Sequence, residues 1–373
     1  MGTIRTLGTL LAFAFTLTFG SIILHTLDAA ELVPVSPGRG EVVSLRTEVQ
    51  NAYRSPDERG WNTGYNPAEL KTGTNECSHQ APVHLSWIWT GAPAEFTVRL
   101  AEAGKPGIRE FKTTETSFDV TNLDVDSDYT WTVSALGSFG AAESPSLTFK
   151  TPREWPQWWS VPGISNVRDS GGLDTRFGRR IRMGKIYRGT EMDGHFALED
   201  EGRDIMLNEI GIKTDLDLRG PDEWNNKPGY YSPLGYAVKW VDIPLRPYSE
   251  AFSDENKELY RILFKLLARE DTYPVYIHCY GGADRTGTVV MLLHGILGAS
   301  DSDIARGYEM TSFSVVGNRT VCSGLFKDFT KELAAYGDPE ASLSENMEKF
   351  LLAIGVTEGE IATIRSILLE DAP

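Results

Sequence analysis

The amino-acid sequence predicts a multidomain chain: an all-β sandwich over 31–151, a linker over 152–163, and an α/β domain with a central mixed sheet over 164–373. Three observations carry this. From about Glu31 to Thr151 the apolar residues fall in short runs separated by turn-formers, with no helical stretch. Beyond Pro162, strand-like apolar runs alternate with segments of helical periodicity, which indicates layered α/β structure. The length of 373 residues also suits two folded units better than one.

The first thirty residues stand apart. Arg5 gives a positive start, Leu7 to Leu24 is mostly apolar and uncharged, and Asp28-Ala29-Ala30 follows. This predicts a signal peptide cleaved near Ala29 or Ala30. The alternative is an uncleaved anchor, because the apolar run approaches the ~20 residues that span a bilayer. Either way the folded part is expected outside the cytoplasm, in an exported protein. Apolar residues at 41% and charged residues at 24% exclude a largely disordered chain. A net charge of −16 excludes a nucleic-acid backbone binder, which would need a basic face. It leaves room for a phosphate substrate, which one loop of amides and a single Arg can hold.

In the sandwich, Val83, Leu85, Trp87 and Trp89 alternate with Pro82, His84, Ser86 and Ile88, as in a strand buried on one face. Further strands are expected at Glu95–Ala101, Ile108–Thr113, Ser117–Leu123, Tyr129–Ala135 and Leu147–Thr151. A Gly-, Asn- and Pro-rich insertion, about Thr47 to Gln80, interrupts the pattern. The linker carries Trp155, Trp158 and Trp159, and such residues are expected to pack at the domain junction rather than face water.

In the second unit, strands are expected at Ile212–Leu218 and Ala237–Ile243, and helices at Ala197–Ile210 and Glu255–Arg269. The chemistry-bearing segment is Tyr276-Ile277-His278-Cys279, then Tyr280-Gly281-Gly282-Ala283-Asp284-Arg285-Thr286-Gly287, then an apolar helix over Val289–Leu297. A strand, a Gly-bearing loop and a helix form a cradle that binds phosphate on backbone amides. Five residues separate Cys279 from Arg285, so a tight loop can turn both ends toward one anion. A helix N-terminus and nearby cations lower a thiol pKa from ~8.5 to as little as ~3.5, which makes a cysteine nucleophilic. The planar fork of Arg285 matches two phosphate oxygens in a way lysine does not. Thr286 is expected to hydrogen-bond the sulfur, and His278 to order the loop from behind. The backbone of Tyr280, Gly281, Gly282 and Ala283 would bind the phosphoryl oxygens.

Three cysteines, Cys77, Cys279 and Cys322, leave at least one thiol unpaired. Cys77 and Cys322 are either bridged across the domains or, as we expect, separate. No cysteine pair or histidine cluster has metal-ligand spacing, and the reaction needs no metal or cofactor.

The loop resembles the H-C-x-x-G-x-x-R-T/S motif of cysteine-based tyrosine and dual-specificity phosphatases. Asn166-Val-Arg168-Asp169-Ser-Gly171-Gly172, Ile186-Tyr187-Arg188-Gly189, Asp215-Leu-Asp217-Leu218-Arg219 with Glu223, and Tyr308-Glu-Met-Thr311-Ser312 all resemble a branch rich in secreted bacterial enzymes. The resemblance covers Val161 to Leu369. It implies a phosphorylated protein or peptide substrate and a two-step route through cysteinyl phosphate. It also suggests Asp284 as general acid, the loop residue thought to serve in related enzymes. Asp242 in Trp240-Val-Asp242-Ile-Pro244 is the second candidate, placed where many tyrosine phosphatases carry an acid on a mobile loop. Arg168 is a candidate near the substrate, paired with Asp169. Members of this branch commonly carry Lys where this chain has Ala283, and that Lys is associated with phosphoinositide recognition. Its absence weighs against a phosphoinositide or inositol-phosphate substrate, which stays as the alternative. A third reading is an inactive phosphate-binding or adhesion protein, but Cys279, Arg285 and Thr286 are all present. The segment from Leu123 through Tyr129 and Trp131 resembles the corner of fibronectin type III domains, where the Tyr hydroxyl bonds back to the turn. That resemblance implies a sandwich serving surface or protein attachment.

Overall fold

The computed structural model describes residues 30–53, 67–70, 75–92, 94–137, 140–223 and 229–372. The expected signal peptide lies outside them. Among the described residues no helix is long and apolar enough to cross a membrane.

The first unit is a two-sheet sandwich. Strands β1 (Leu32–Ser36), β3 (Val83–Trp89) and β6 (Ser117–Val120) form one sheet in the order β1-β3-β6. The other sheet has the order β2-β9-β7-β4-β5, from β2 (Glu41–Val42), β9 (Leu147–Lys150), β7 (Asp128–Gly137), β4 (Glu95–Glu102) and β5 (Arg109–Thr113). A short strand β8 (Gly140–Glu143) pairs with β7. Pairing is antiparallel except between β2 and β9. The alternation read from the sequence becomes the core: Val83, Leu85 and Trp87 of one sheet meet Phe96, Val98, Trp131 and Val133 of the other. Burying such side chains contributes about 1.5–3 kcal/mol each. The Asp124 N–H donates to the Tyr129 hydroxyl at 2.8 Å, which ties the turn before β7 to that strand.

The second unit is built on a five-stranded mixed sheet in the order β10-β12-β15-β13-β14. Its strands are β10 (Arg168–Asp169), β12 (Ile186–Gly189), β13 (Thr214–Asp217), β14 (Lys239–Asp242) and β15 (Val275–His278). All neighbours are parallel except β10, which runs antiparallel to β12. The central strand β15 is buried at every residue, as a parallel strand covered on both faces should be. A small ribbon of β11 (Arg179–Ile181) and β16 (Leu369–Asp371) ties the chain end back to this unit. Helix α1 (Glu48–Ala52) belongs to the insertion of the first unit. The remaining helices are α2 (Asp200–Asp204), α3 (Asp254–Leu267), α4 (Asp284–Ile296), α5 (Asp301–Glu309), α6 (Gly324–Ala334), α7 (Leu343–Ala353) and α8 (Glu358–Leu368).

Two helices differ from expectation. The Ala197–Ile210 segment is helical only from Asp200, and its second half, Ile205–Glu209, widens to a π turn. Helix α4 starts at Asp284, five residues before the apolar run that predicted it, because three polar loop residues form its first turn.

The linker is not a free connector. Trp158 bridges Arg168, and Trp159 donates its N–H to the Val167 carbonyl at 3.0 Å. The side chain of Trp158 packs with Met310 and Phe313 of the second unit and with Val49, Tyr53 and Cys77 of the insertion. The tryptophans thus sit at the junction. None of the three cysteines is in a disulfide, so the Cys77–Cys322 bridge is not formed.

Candidate active site

Cys279 leaves the C-terminal end of β15 and is almost fully buried. The loop 279–283 then enters α4, whose N-cap is Ala283 and has no side-chain cap. Helices α3, α5, α6, α7 and α8 all begin with a Ser or Thr hydroxyl accepting from their first turn. Helix α4 lacks such a cap, as a helix N-terminus suited to an anion would.

The loop is held with its carbonyls turned outward. Arg188 donates to the Gly282 carbonyl at 2.6 Å, and Asn166 Nδ2 donates to the carbonyls of Gly281 and Gly282 at 3.2 and 3.3 Å. Gly282 has φ +60°, and a Cβ there would lie 2.0 Å from the Gly189 carbonyl oxygen. Only glycine fits both the conformation and the approach.

His278 lies directly behind the loop. Burial would lower its pKa, but the Asp217 and Asp215 carboxylates outweigh burial and raise it to about 9. Its Nε2 is 2.8 Å from Asp215 Oδ1, and Nδ1 approaches the Cys279 carbonyl at 3.4 Å. The imidazolium therefore places a positive charge beneath Cys279. A second buried cation, Arg219, binds Asp217 at 2.7 Å, Glu191 at 2.8 Å and Asp193 at 2.9 Å. The Glu191 N–H in turn donates to the Tyr280 carbonyl at 3.0 Å, so this network also steadies the loop.

The fork of Arg285 is aligned by Glu223, with contacts of 2.5 and 2.8 Å. Its hydrogen bonds to Arg285 hold the Glu223 carboxyl below the usual range. Arg285 also lies within electrostatic reach of Cys279. At the rim, the half-exposed Tyr280 ring stacks on His195, with centroids 5.8 Å apart, and meets Phe196 edge-on at 6.2 Å.

The two acid candidates have opposite environments. Asp284 opens α4 within the loop itself, where it accepts from the Tyr248 hydroxyl at 2.5 Å and from two Arg319 nitrogens at 2.7 Å. Burial pushes its pKa up, but the bonds and charge of Arg319 prevail and hold the carboxyl below its ordinary value. Tyr248 occupies the left-handed region, φ +54°, to reach this position. Asp242 ends β14, opposite Asp217, and burial together with that neighbour raises it to about 6. Its Oδ1 is buried without a hydrogen-bond partner. Asp217 is in turn opposite His278, so two strand spacings, roughly 9–10 Å, lie between Asp242 and the strand of the nucleophile.

Three expectations are corrected. Arg168 is committed to protein groups rather than open to a substrate: it is buried, donates to Asn166, Gly307 and Thr311, and lies over the Trp158 ring. It forms no pair with Asp169, whose carboxylate takes the N–H groups of Gly171 and Gly184 at 2.7 and 2.5 Å. Burial raises the Asp169 pKa to about 7, against the opposing pull of those two backbone donors. The Thr286 hydroxyl is buried but has no hydrogen-bond partner, so its bond to the sulfur is not made. Conversely, sequence reasoning assigns no role to Asn166, Arg188, Tyr248 or Arg319. Asn166 and Arg188 stood within the resembling motifs and could have been suspected, whereas Arg319 and Tyr248 stood in none.

A family model for the tyrosine phosphatase family matches residues 159–370, more than half of the chain. The chain belongs to that family. A Cupriavidus necator protein whose name places it among tyrosine-protein phosphatases is 30% identical over 169 residues, covering 39% of this chain and 59% of that protein. A tyrosine-protein phosphatase of Nostoc commune is 25% identical over 139 residues, covering 32% of this chain and 47% of the relative. The matches thus span about half the length of these relatives. Among solved structures, the catalytic core of the S. cerevisiae PP-IP phosphatase Siw14 aligns at 18% identity and TM-score 0.26, over 40% of this chain and 86% of that one. A human fibronectin type III domain aligns at 17% identity and TM-score 0.17, over 22% and 93%. Neither score is high enough to bear on function.

Proposed function

We propose that this chain is an exported phosphatase that hydrolyses phosphotyrosine in proteins or peptides through a cysteinyl phosphate. The observation that carries the reading is the loop: Cys279 at a strand end, carbonyls held outward by Asn166 and Arg188, an uncapped helix, and the aligned fork of Arg285. The Cys279 sulfur attacks phosphorus, the ester P–O bond breaks, and Asp284 gives its proton to the leaving oxygen. Water then attacks phosphorus, Asp284 takes back a proton, the P–S bond breaks, and the thiolate returns. Outward carbonyls direct the loop amides at the phosphoryl oxygens, where charge is stabilised without reorganisation. Asp284 is preferred as donor because it lies in the loop, whereas Asp242 lies two strands away. The sandwich fits a fibronectin type III module for surface or protein attachment, a reading supported by its strand order and the Tyr129 corner.

The test is a panel of phosphotyrosine and phosphoserine/threonine peptides, phosphoinositides and inositol phosphates presented to the purified protein. Phosphotyrosine peptides are expected to show the highest kcat/KM. A preference for inositol phosphates or phosphoinositides overturns the substrate assignment, and no turnover of any member overturns the activity.

The Arg319 contact gives a pH prediction. A general acid must be protonated, so activity falls as pH rises through its pKa. Arg319 keeps that pKa low, which places the fall of the wild-type profile at acid pH. Arg319→Met should move the falling limb of kcat/KM to higher pH. A limb that stays in place or moves down removes Asp284 as the donor.

A further inference from the structure

We propose that Glu76 and Ser78, carried by the sandwich's insertion, are positioning residues for the phosphate-binding loop of the other unit. The inference rests on that loop being the phosphate site. Glu76 is a hub: its carboxylate accepts from the Ser78 N–H at 2.6 Å, from the hydroxyls of Ser78 and Ser165, and from the Val315 N–H at 3.3 Å. The Ser78 hydroxyl accepts from the Asn166 N–H at 3.0 Å. Asn166 is fully buried, has φ +63°, and holds the Gly281 and Gly282 carbonyls. Ser78 thereby satisfies the backbone of the residue that turns the loop outward.

The same segment reaches the loop from its other side. Val315 precedes Val316, which packs so close to Gly281 that a Cβ there would lie 2.5 Å from Val316 Cγ1. The Cys77 N–H donates to the Phe313 carbonyl at 2.8 Å. Tyr53, just after α1, donates to Glu309 Oε2 at 2.7 Å, and Glu309 Oε1 accepts the Val321 N–H at 2.9 Å. Between these fixed points lies Arg319, the partner of Asp284. A sandwich serving only as a spacer or attachment module would require none of these contacts. Loosening them lets the carbonyls of Gly281 and Gly282 drift, and misplacement by fractions of an ångström is costly in an oxyanion site.

The experiment uses the full chain with Glu76→Ala, Glu76→Gln, Ser78→Ala and, as a control on the outer strands, Arg99→Ala. Readouts are kcat and KM on an aryl phosphate, the inhibition constant of inorganic phosphate, and the circular-dichroism spectrum. For folded protein, Glu76→Ala and Ser78→Ala are expected to lower kcat/KM about tenfold and to weaken phosphate inhibition severalfold. Glu76→Gln, which keeps an acceptor oxygen, should fall between them and wild type, and Arg99→Ala should match wild type. Folded Glu76→Ala and Ser78→Ala proteins within twofold of wild type on both readouts overturn the proposal. If Glu76→Ala does not fold, Ser78→Ala and the isosteric Glu76→Gln decide. If the wild type fails to hydrolyse the aryl phosphate, the phosphatase reading fails. Calorimetric binding of inorganic phosphate to the same variants then decides the positioning role alone.

Discussion

Cys279→Ser is expected to abolish hydrolysis of an aryl phosphate, by about 10⁴-fold or more, while the protein keeps its fold and still binds phosphate. The loss is chemical rather than structural. A serine hydroxyl is protonated at neutral pH, and the group behind the nucleophile, His278, is held as a cation by Asp215 and Asp217 and offers no base. The binding elements are separate from the sulfur: outward carbonyls fixed by Asn166 and Arg188, the open start of α4, and the fork of Arg285. Steady-state kinetics together with phosphate calorimetry on the variant check both halves. Turnover within tenfold of wild type excludes a cysteinyl intermediate, and loss of phosphate binding assigns the loop's integrity to the thiol itself.

Asp284→Asn is expected to slow a substrate with a poor leaving group about 100-fold or more, and one with a good leaving group less than tenfold. A poor leaving group needs its oxygen protonated in the transition state, whereas a good one departs as an anion. The comparison matters because Asp284 also braces Tyr248 and Arg319, and a brace that fails would slow both substrates alike. Equal losses therefore return Asp284 to a structural role. Asp242, with its pKa raised to about 6, then becomes the donor to be tested by the same comparison on Asp242→Asn.

The chemistry-bearing core was legible because it is contiguous. Cys279 through Thr286 lie in one loop, and residue types at fixed spacing declare a phosphate cradle before any tertiary contact is known. The sandwich was legible for a similar reason: period-two alternation at Val83, Leu85 and Trp87 reports a buried face directly. What the sequence could not show depends on contacts across the chain. Arg319 acquires its role only from Asp284, thirty-five positions away, and a lone Arg in a polar stretch carries no periodic signal. Glu76 and Ser78 lie in a segment without strand or helix pattern, where nothing marks a partner in the other unit. Arg168 stands in a recognisable motif, but residue type alone does not tell a buried donor to carbonyls from a ligand of phosphate. The polar start of α4 is hidden from the sequence because apolar periodicity marks the face a helix buries, not the turn with which it begins.

The contact of Gly282 with the Gly189 carbonyl also bears on selectivity. That approach leaves no room for a side chain, and with Asn166 and Arg188 holding the loop carbonyls the cradle is shaped before any ester arrives and presents the same form to every phosphoryl group. Choice among esters is then expected outside it, and the aromatic lip formed by Tyr280, His195 and Phe196 next to the loop is the surface we expect to make it. Exchanging side chains on that lip should redirect which molecules are cleaved while leaving the cleavage step as it was.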